Sequence, residues 1–341
     1  MLHLRVKAIK WEMPDAATLF FKVASGGKIP YQAGQFITLV FTHHNEEIRR
    51  SYSLSSSPDE ELLSITIRRV ENGAISRFLL EKIKSGDILN AVEPAGRFTI
   101  NRFEDEKHIF LFSAGSGIVP IYSNLKYILN RPGKSRLILI YSNQHERSVL
   151  FHDELESLQL KNPERFNIIH LLSSAGNRLN NLMVEQLIRQ YASHNLNTAE
   201  FYTCGPSMYM RMIRLTLFYM GIEPGQVRKE NFVLETIPVA AGLKTFPPKR
   251  IRIHFENEIH DLVVGENQSI LQAALQNNIP LPYSCRVGDC STCAALCYGG
   301  HVEMVKNDVL TAADLAAGWI LTCTGHPITD DGVINYKPGE N

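Results

Sequence analysis

The sequence has no net charge, no long apolar run, no internal repeat and no low-complexity tract. Its 35 Lys and Arg offset 35 Asp and Glu, so the overall charge offers nothing to a nucleic acid. Without about 18 consecutive apolar residues there is no candidate membrane helix. The opening residues, MLHLRVKAIKWEM, alternate as a strand does and lack the apolar run of a signal peptide. Cysteine is scarce, with six in 341 residues. A disulfide framework suits small secreted domains, and this chain is neither small nor visibly exported, so reduced thiols in the cytoplasm are expected. The length is too great for one ordinary core and implies two or three domains.

Most of the cysteine lies close together. Pro282-Tyr283-Ser284-Cys285-Arg286-Val287-Gly288-Asp289-Cys290-Ser291-Thr292-Cys293 spaces three thiols as C-x4-C-x2-C, and Cys323 follows in Leu321-Thr322-Cys323. That is the spacing of plant-type [2Fe–2S] clusters, whose two irons take four thiolates. Gly288 would let the backbone wrap closely, because it lacks a Cβ and tolerates positive φ. Structural zinc is the alternative, but zinc usually takes closely spaced cysteine pairs. Cys297 stands outside the pattern and reads as a small buried hydrophobe.

The words PYSCRVGDCSTCAA and GWILTC, with His326-Pro327 and Asp330 beyond them, resemble a plant-type ferredoxin domain running from about Lys249 to the C-terminus. The resemblance implies a β-grasp fold. Independently, Ile251, Ile253 and Phe255 alternate as in a half-buried strand, and a turn at Asn257-Glu258 leads to Leu262-Val263-Val264. Ser269 then caps a short helix with Ile270, Leu271, Ala274 and Leu275 inward.

In the first hundred residues short strands succeed one another: Leu2–Ile9, Thr18–Val23, Gln35–Phe41, Leu62–Val70 and Ile88–Ala91, with one helical segment from Ala74 to Lys84. Gly, Pro, Asn and Asp break them, which is the pattern of an antiparallel barrel. Two stretches look chemical. Arg49-Arg50-Ser51-Tyr52-Ser53 combines a fixed cation, an aromatic face and hydroxyls, the parts for gripping a phosphate and stacking a flat ring. Gly73-Ala74-Ile75-Ser76 opens a helix, whose free N–H groups attract anions. Alone, the first is commonly plain strand surface and the second commonly a cap.

After Lys107 the period changes. Strand-like runs His108–Phe112, Leu137–Tyr141, Asn167–Leu171 and Glu200–Thr203 alternate with helical runs near 118–130, 150–161, 181–191 and 206–220. That implies a parallel sheet with helices on both faces and ligands at the carboxyl ends of its strands. Ser113-Ala114-Gly115-Ser116-Gly117-Ile118-Val119-Pro120 follows the first of these strands. Its glycines let a pyrophosphate approach a helix N-terminus, although Pro120 stands where the dinucleotide fingerprint has a third glycine. Thr203-Cys204-Gly205-Pro206-Ser207-Met208 ends a later strand.

Taken together these motifs resemble the ferredoxin–NADP reductase superfamily. The order of barrel, nucleotide domain and ferredoxin is similar to the reductase subunits of bacterial multicomponent oxygenases, most of all the phenylacetyl-CoA epoxidase reductase type. The resemblance implies that Arg50 pairs with the phosphate of FAD, Tyr52 packs on the isoalloxazine, Ser53 hydrogen-bonds near N5, and Gly73, Ala74, Ile75 and Ser76 hold the pyrophosphate. Ser51 and Ile67 join them in the flavin site. The Gly-x-x-Ser element favours FAD over the FMN of phthalate-dioxygenase-type reductases. Tyr31–Phe36 and Glu93–Phe98 match family turns and read as scaffold.

The same resemblance assigns the nicotinamide nucleotide to Gly115, Ser116, Gly117, Pro120, Cys204, Gly205, Pro206 and Met208, with Cys204 and Gly205 beside the ring. Val227-Arg228-Lys229-Glu230-Asn231-Phe232 resembles the Glu-x-aromatic end of two-domain reductases. There the glutamate lies near hydride transfer and the aromatic covers the flavin; here a Pro/Gly/Ala-rich linker follows at once and could hold Phe232 differently. Ser53, Cys204 and Glu230 are expected around the transfer, and Cys285, Cys290, Cys293 and Cys323 on the cluster. Ser142 and Ser173, with Arg147, Ser174 and Arg178, would meet a 2′-phosphate, and no acidic residue follows Tyr141, which favours NADPH over NADH.

The expectation is therefore a multidomain chain: an antiparallel FAD-binding β-barrel over 1–104, an α/β parallel-sheet NAD(P)-binding domain over 105–235, a linker over 236–248 and a β-grasp ferredoxin domain over 249–341. Electrons would pass from NAD(P)H through FAD and the cluster to a partner oxygenase, ring-hydroxylating or epoxidising. A diaphorase serving another acceptor, or a zinc-bearing scaffold without activity, are the alternatives. From Lys249 onward six Lys and Arg face eleven Asp and Glu, so an acidic domain follows a basic body, which suggests electrostatic docking between them or with a protein acceptor. Neither a nucleic acid nor a membrane is expected as partner.

Overall fold

The computed structural model describes residues 1–43, 46–71, 73–192, 196–232 and 245–336. The chain divides into two compact units, Met1–Phe232 and Val233–Asn341. Residues 236–244 of the expected linker lie outside the described residues.

The first unit begins with six strands, β1 (Leu2–Met13), β2 (Ala16–Val23), β3 (Phe36–His43), β4 (Glu46–Ser53), β5 (Leu63–Arg68) and β6 (Ile88–Ala95), and a helix α1 (Ala74–Glu81) before the last. They form an antiparallel sheet in the order β4-β3-β6-β1-β2-β5. A bridge between Leu54 and Ile65, with Ser55 N–H donating to Ser64 O at 2.8 Å, brings the two outer strands together and closes the barrel. Alternation sends Leu4, Val6, Leu19, Phe21, Ile37, Leu39 and Ile65 into one core with Leu79 of α1. Each such side chain taken out of water contributes roughly 1.5–3 kcal/mol. The polar strand β4 escapes an apolar pattern search because its pairing with β3, from Phe36↔Ser53 to His43↔Glu46, holds it.

The unit continues with β7 (His108–Ala114), α2 (Ile118–Leu129), β8 (Arg136–Asn143), α3 (His152–Lys161), β9 (Phe166–Leu172), α4 (Asn181–Tyr191), β10 (Glu200–Cys204), α5 (Ser207–Tyr219) and β11 (Val227–Glu230). The sheet is parallel in the order β11-β10-β7-β8-β9. Its strands are buried on both faces, as helical crossovers require. One face packs Leu111, Leu139 and Tyr141 with Ile121 and Leu125 of α2; the other packs Phe110, Ile140 and Phe201 with Val184 of α4 and Ile213 of α5. The four-residue edge strand β11 reads VRKE, too short and polar to announce itself.

Helix α2 also carries the barrel. Ser123 Oγ donates to Ser56 O at 2.6 Å and accepts from Gly34 N–H at 3.4 Å. Asn124 Nδ2 donates to Phe98 O at 3.1 Å while its Oδ1 accepts from Ile100 N–H at 3.3 Å. Gly34 sits at φ +87°, and a Cβ there would lie 2.2 Å from Phe98 O. The turns expected to be scaffold thus touch α2 directly.

The second unit holds β12 (Lys249–Phe255), β13 (Glu258–Val264), α6 (Ile270–Gln276), β14 (Ala294–Gly299), β15 (Val302–Met304), α7 (Ala312–Ala316), β16 (Trp319–Leu321), β17 (Gly325–Pro327) and β18 (Gly332–Asn335). A five-stranded mixed sheet runs β13-β12-β18-β14-β16, with only β12 and β18 parallel, and β15 pairs with β17. The hairpin turn is Glu256-Asn257, both at positive φ, one residue earlier than expected. Ser269 and Gln272 form a capping box on α6, which buries Ile270, Leu271, Ala273 and Ala274. Ala273 joins the expected inner face, and the half-buried Leu275 packs against the same core. Among the described residues no helix is long and apolar enough to cross a membrane.

Candidate redox sites and their relatives

The cluster loop shows what four thiolates need. Gly288 lies at φ +77°, and a Cβ on it would meet Lys306 O at 2.7 Å, so the chain folds back at a point where only glycine fits. The thiols of Cys285 and Cys290, Cys285 and Cys323, and Cys293 and Cys323 face one another in pairs. Hydrogen bonds from Cys290 and Cys323, with Val287 N–H 3.4 Å from the sulfur, hold the Cys285 thiol well below its usual range, toward the thiolate that binds iron. Tetrahedral zinc at about 2.3 Å per sulfur would draw its thiolates to about 3.8 Å apart. Among the described residues no three cysteine sulfurs lie within 4.8 Å of one another, so the four surround a wider centre, as two bridged irons require. Lys306 pairs with the buried Asp289 carboxylate of the loop at 2.6 Å. Cys297 is half-buried, not buried as expected, and its Sγ donates to Gly299 O at 3.1 Å.

In the parallel sheet, strand register draws distant residues into line. His170 on β9, Tyr141 on β8, Ser113 on β7, Cys204 on β10 and Glu230 on β11 are successive partners across the strands. The Gly115–Gly117 turn packs onto this row. A Cβ on Gly117 would fall 2.1 Å from Cys204 O and 2.9 Å from Gly205 N, so the two nucleotide motifs touch backbone to backbone. Gly205, at φ +158°, leaves a Cβ only 3.0 Å from that of Ala114. Pro120 is buried in the first turn of α2, where a missing N–H costs no helical bond. Pro206 precedes α5, and Met208 on its first turn is 71% exposed. Ser116 is half-buried.

Burial pushes the Cys204 thiol well above its ordinary value, and a charge on Glu230 would push it further, so it is a neutral thiol. Glu230 is half-buried, but protein encloses its carboxyl, and the lost hydration raises its pKa to about 8. Ser142 Oγ lies 3.5 Å from Tyr209 Oη. Ser173 Oγ donates to Asn143 O at 3.4 Å, on the exposed ends of β8 and β9 where Arg147, Ser174 and Arg178 also stand exposed.

On the barrel, alternation along β4 turns Arg50 and Tyr52 to one face and Ser51 and Ser53 to the other. Arg50 is exposed, and its Nη1 donates to Arg49 O at 2.8 Å. Burial pushes the Tyr52 phenol up to about 12, opposed by the Arg50 charge. Ser51 shares a 2.9 Å hydrogen bond with Thr38, and Ser53 is buried. Ile67 is 1% exposed in the barrel core, leaving only its backbone for a ligand.

At α1 no side chain caps the first turn after Gly73, so the N–H groups of Ala74 and Ile75 are not occupied by a cap. A Cβ on Gly73 would meet Ser76 Oγ at 2.6 Å. The Ser76 hydroxyl is itself engaged, donating to Gly73 O at 3.1 Å and accepting from Val70 N–H at 3.1 Å. What it offers a phosphate is therefore its backbone. These features fit a dinucleotide flavin: a cation, a flat aromatic and an uncapped helix start on one barrel. Phe232 is 44% exposed at the end of the unit.

Three residues went unnoticed in the sequence. Arg68, one residue past Ile67, pairs with Asp15 at 2.8 Å and carries a guanidinium nitrogen to 3.9 Å from where a Cβ on Gly115 would be. Tyr141 Oη donates to Gly115 O at 3.1 Å, and Tyr209 Oη donates to Ser113 O at 3.0 Å. Tyr141 thus braces the glycine turn, and Tyr209 the strand end that leads into it. A cation ending a barrel strand was the visible sign for Arg68; the tyrosines looked like ordinary core.

Three family models match in succession: an oxidoreductase FAD-binding domain over residues 3–100, an oxidoreductase NAD-binding domain over 111–215 and a 2Fe-2S iron-sulfur cluster binding domain over 253–327. The ferredoxin reductase component of 3-ketosteroid-9-alpha-monooxygenase from Rhodococcus rhodochrous is 32% identical, over 98% of this chain and 96% of its own. One component of the 1,2-phenylacetyl-CoA epoxidase from Escherichia coli K12 is 28% identical, over 98% of this chain and 97% of its own. Phthalate dioxygenase reductase shares the fold at a TM-score of 0.60 and 20% identity, covering 98% of this chain and 97% of that one. The chain thus belongs to the family of oxygenase reductase components that join FAD-binding, NAD-binding and [2Fe–2S] cluster-binding domains in one polypeptide.

Proposed function

We propose that this protein draws electrons from NADPH, in preference to NADH, and delivers them through FAD and a [2Fe–2S] cluster to the oxygenase component of a cytoplasmic ring-hydroxylating or epoxidising system. The observation that carries the reading is the contact of Gly117 with the Cys204–Gly205 backbone, in line with Ser113 and Glu230 and on the same unit as the barrel. When bound, FAD takes two electrons from the nicotinamide and releases them singly, which a [2Fe–2S] cluster then carries one at a time.

Each residue has a task in that scheme. Gly73, Ala74, Ile75 and Ser76 bind the flavin pyrophosphate through backbone N–H groups, and Arg50 neutralises it. Tyr52 orients the ring system and Ser53 hydrogen-bonds its edge. Gly115, Ser116 and Gly117, with Arg68, hold the nucleotide pyrophosphate, while Ser142, Ser173, Ser174 and Arg178 bind the 2′-phosphate. Cys204 and Gly205 position the nicotinamide. Glu230, protonated at neutral pH, lines the transfer position without adding a charge there and holds its proton on the carboxyl. Phe232 shields the flavin until the nucleotide arrives. Cys285, Cys290, Cys293 and Cys323 bind the irons.

Anaerobic titration with NADPH and with NADH, followed by absorbance and EPR, tests the reading. Bleaching of the flavin and cluster bands at lower NADPH than NADH, with a reduced-cluster EPR signal, is expected. Protein without iron or flavin after anaerobic reconstitution would reject it.

A further inference from the structure

The row of strand partners that ends at Glu230 ends on the opposite sheet edge at His170, beside a group of side chains for which electron transfer has no use. His152 and Glu156 stand four residues apart on α3, hence on one helix face, and His170 reaches them from the edge strand β9. One donor atom from each of the three lies within 4.8 Å of the other two. Among the described residues they are the only such trio of His, Cys, Asp and Glu.

Glu156 Oε1 is 3.3 Å from His170 Nε2, and the two imidazoles stack with centroids 5.5 Å apart. All three residues are half-buried, reached by solvent yet backed by Tyr141, whose ring lies 6.0 Å from that of His170. Asp153 Oδ1 lies 3.2 Å from His152 Nδ1, the carboxylate–imidazole pairing that orients metal-binding histidines. A Glu–His ion pair alone would need one imidazole; here a second is brought to the same point.

We propose that His152, Glu156 and His170 form a site for a borderline divalent transition metal of the zinc type, with two nitrogen donors, one oxygen donor and a fourth position left to water. Two imidazoles disfavour magnesium and calcium, which want oxygen. The ion would tie α3 to the edge strand β9.

The test uses full-length protein loaded with iron and flavin, so that the cluster cysteines are occupied. Equilibrium dialysis against Zn2+ should give one zinc per chain with iron content unchanged. His152→Ala, Glu156→Gln and His170→Ala should each weaken binding about tenfold or more. An anomalous map at the zinc edge should place the ion between the three side chains. Unchanged zinc affinity in His152→Ala overturns the proposal, as does an ion found elsewhere. His152 is accessible enough to be truncated without opening the core, so it and Glu156→Gln decide the matter even where His170→Ala disturbs folding.

Discussion

Three of the four cluster cysteines lie between Cys285 and Cys293, whereas Ser113, Cys204 and Glu230 come from three strands spread over a third of the chain. The first site is written locally and needs one glycine, Gly288, to turn the backbone round it. The second exists only once a parallel sheet has set its register, and its glycine, Gly117, works by letting two loops meet. A ligand set can thus be encoded by spacing or by topology, and the two fail differently when disturbed.

The largest expected effect is at the local site. Cys290→Ala should abolish electron delivery to a cluster-dependent acceptor and spare ferricyanide reduction at the flavin; equal loss of both in a stopped-flow assay would break the proposed order. Gly73→Val comes next, since its first added atom already collides with Ser76 Oγ, and purified protein should contain little FAD. Gly117→Ala attacks the topological site. The new methyl cannot sit 2.1 Å from Cys204 O, so the loops must part by about an ångström, which should cost roughly 100-fold in kcat/KM for NADPH with flavin content intact.

Glu230 gives a smaller, pH-dependent effect. Its carboxyl pKa rises from 4.5 to about 8 on folding, so between those values only the folded chain holds the proton. Raising the pH therefore costs stability: this contribution is intact below 4.5 and is lost as pH climbs through about 8. Glu230→Gln should flatten the decline in Tm between about pH 5 and 9, and an unchanged slope would mean the carboxyl is not enclosed. The smallest change is expected from Arg178→Ala, which should erode a preference for NADPH over NADH by roughly tenfold if its guanidinium meets the 2′-phosphate.

The same contrast explains what could be read from the sequence. Cys285, Cys290, Cys293 and Cys323 were legible because spacing alone limits what they can bind, and the β/α alternation after Lys107 because apolar runs repeat. The polar strands at Glu46–Ser53 and Val227–Glu230 escaped that periodicity, and the second of them delivers Glu230. The Ser113–Cys204–Glu230 row was invisible, since no short-range pattern states which residue of one strand faces which of another. Ile67 shows what periodicity adds to resemblance: its side chain fills the barrel core, as strand alternation indicates, so a flavin there would meet only its backbone.

The two polar side chains of α2, Ser123 and Asn124, bear on how such reductases can be recombined. Between them they bond to Gly34, Ser56, Phe98 and Ile100, which belong to the barrel and its exit. A chimera that joined this barrel to a nucleotide domain without a hydroxyl and an amide at those two positions would strand buried donors and acceptors at that seam, at about 1–3 kcal/mol for each group left unmatched. Crossovers placed after Phe232 would leave the seam whole, so natural shuffling and laboratory domain swaps alike should favour trading everything up to that point as a single cassette.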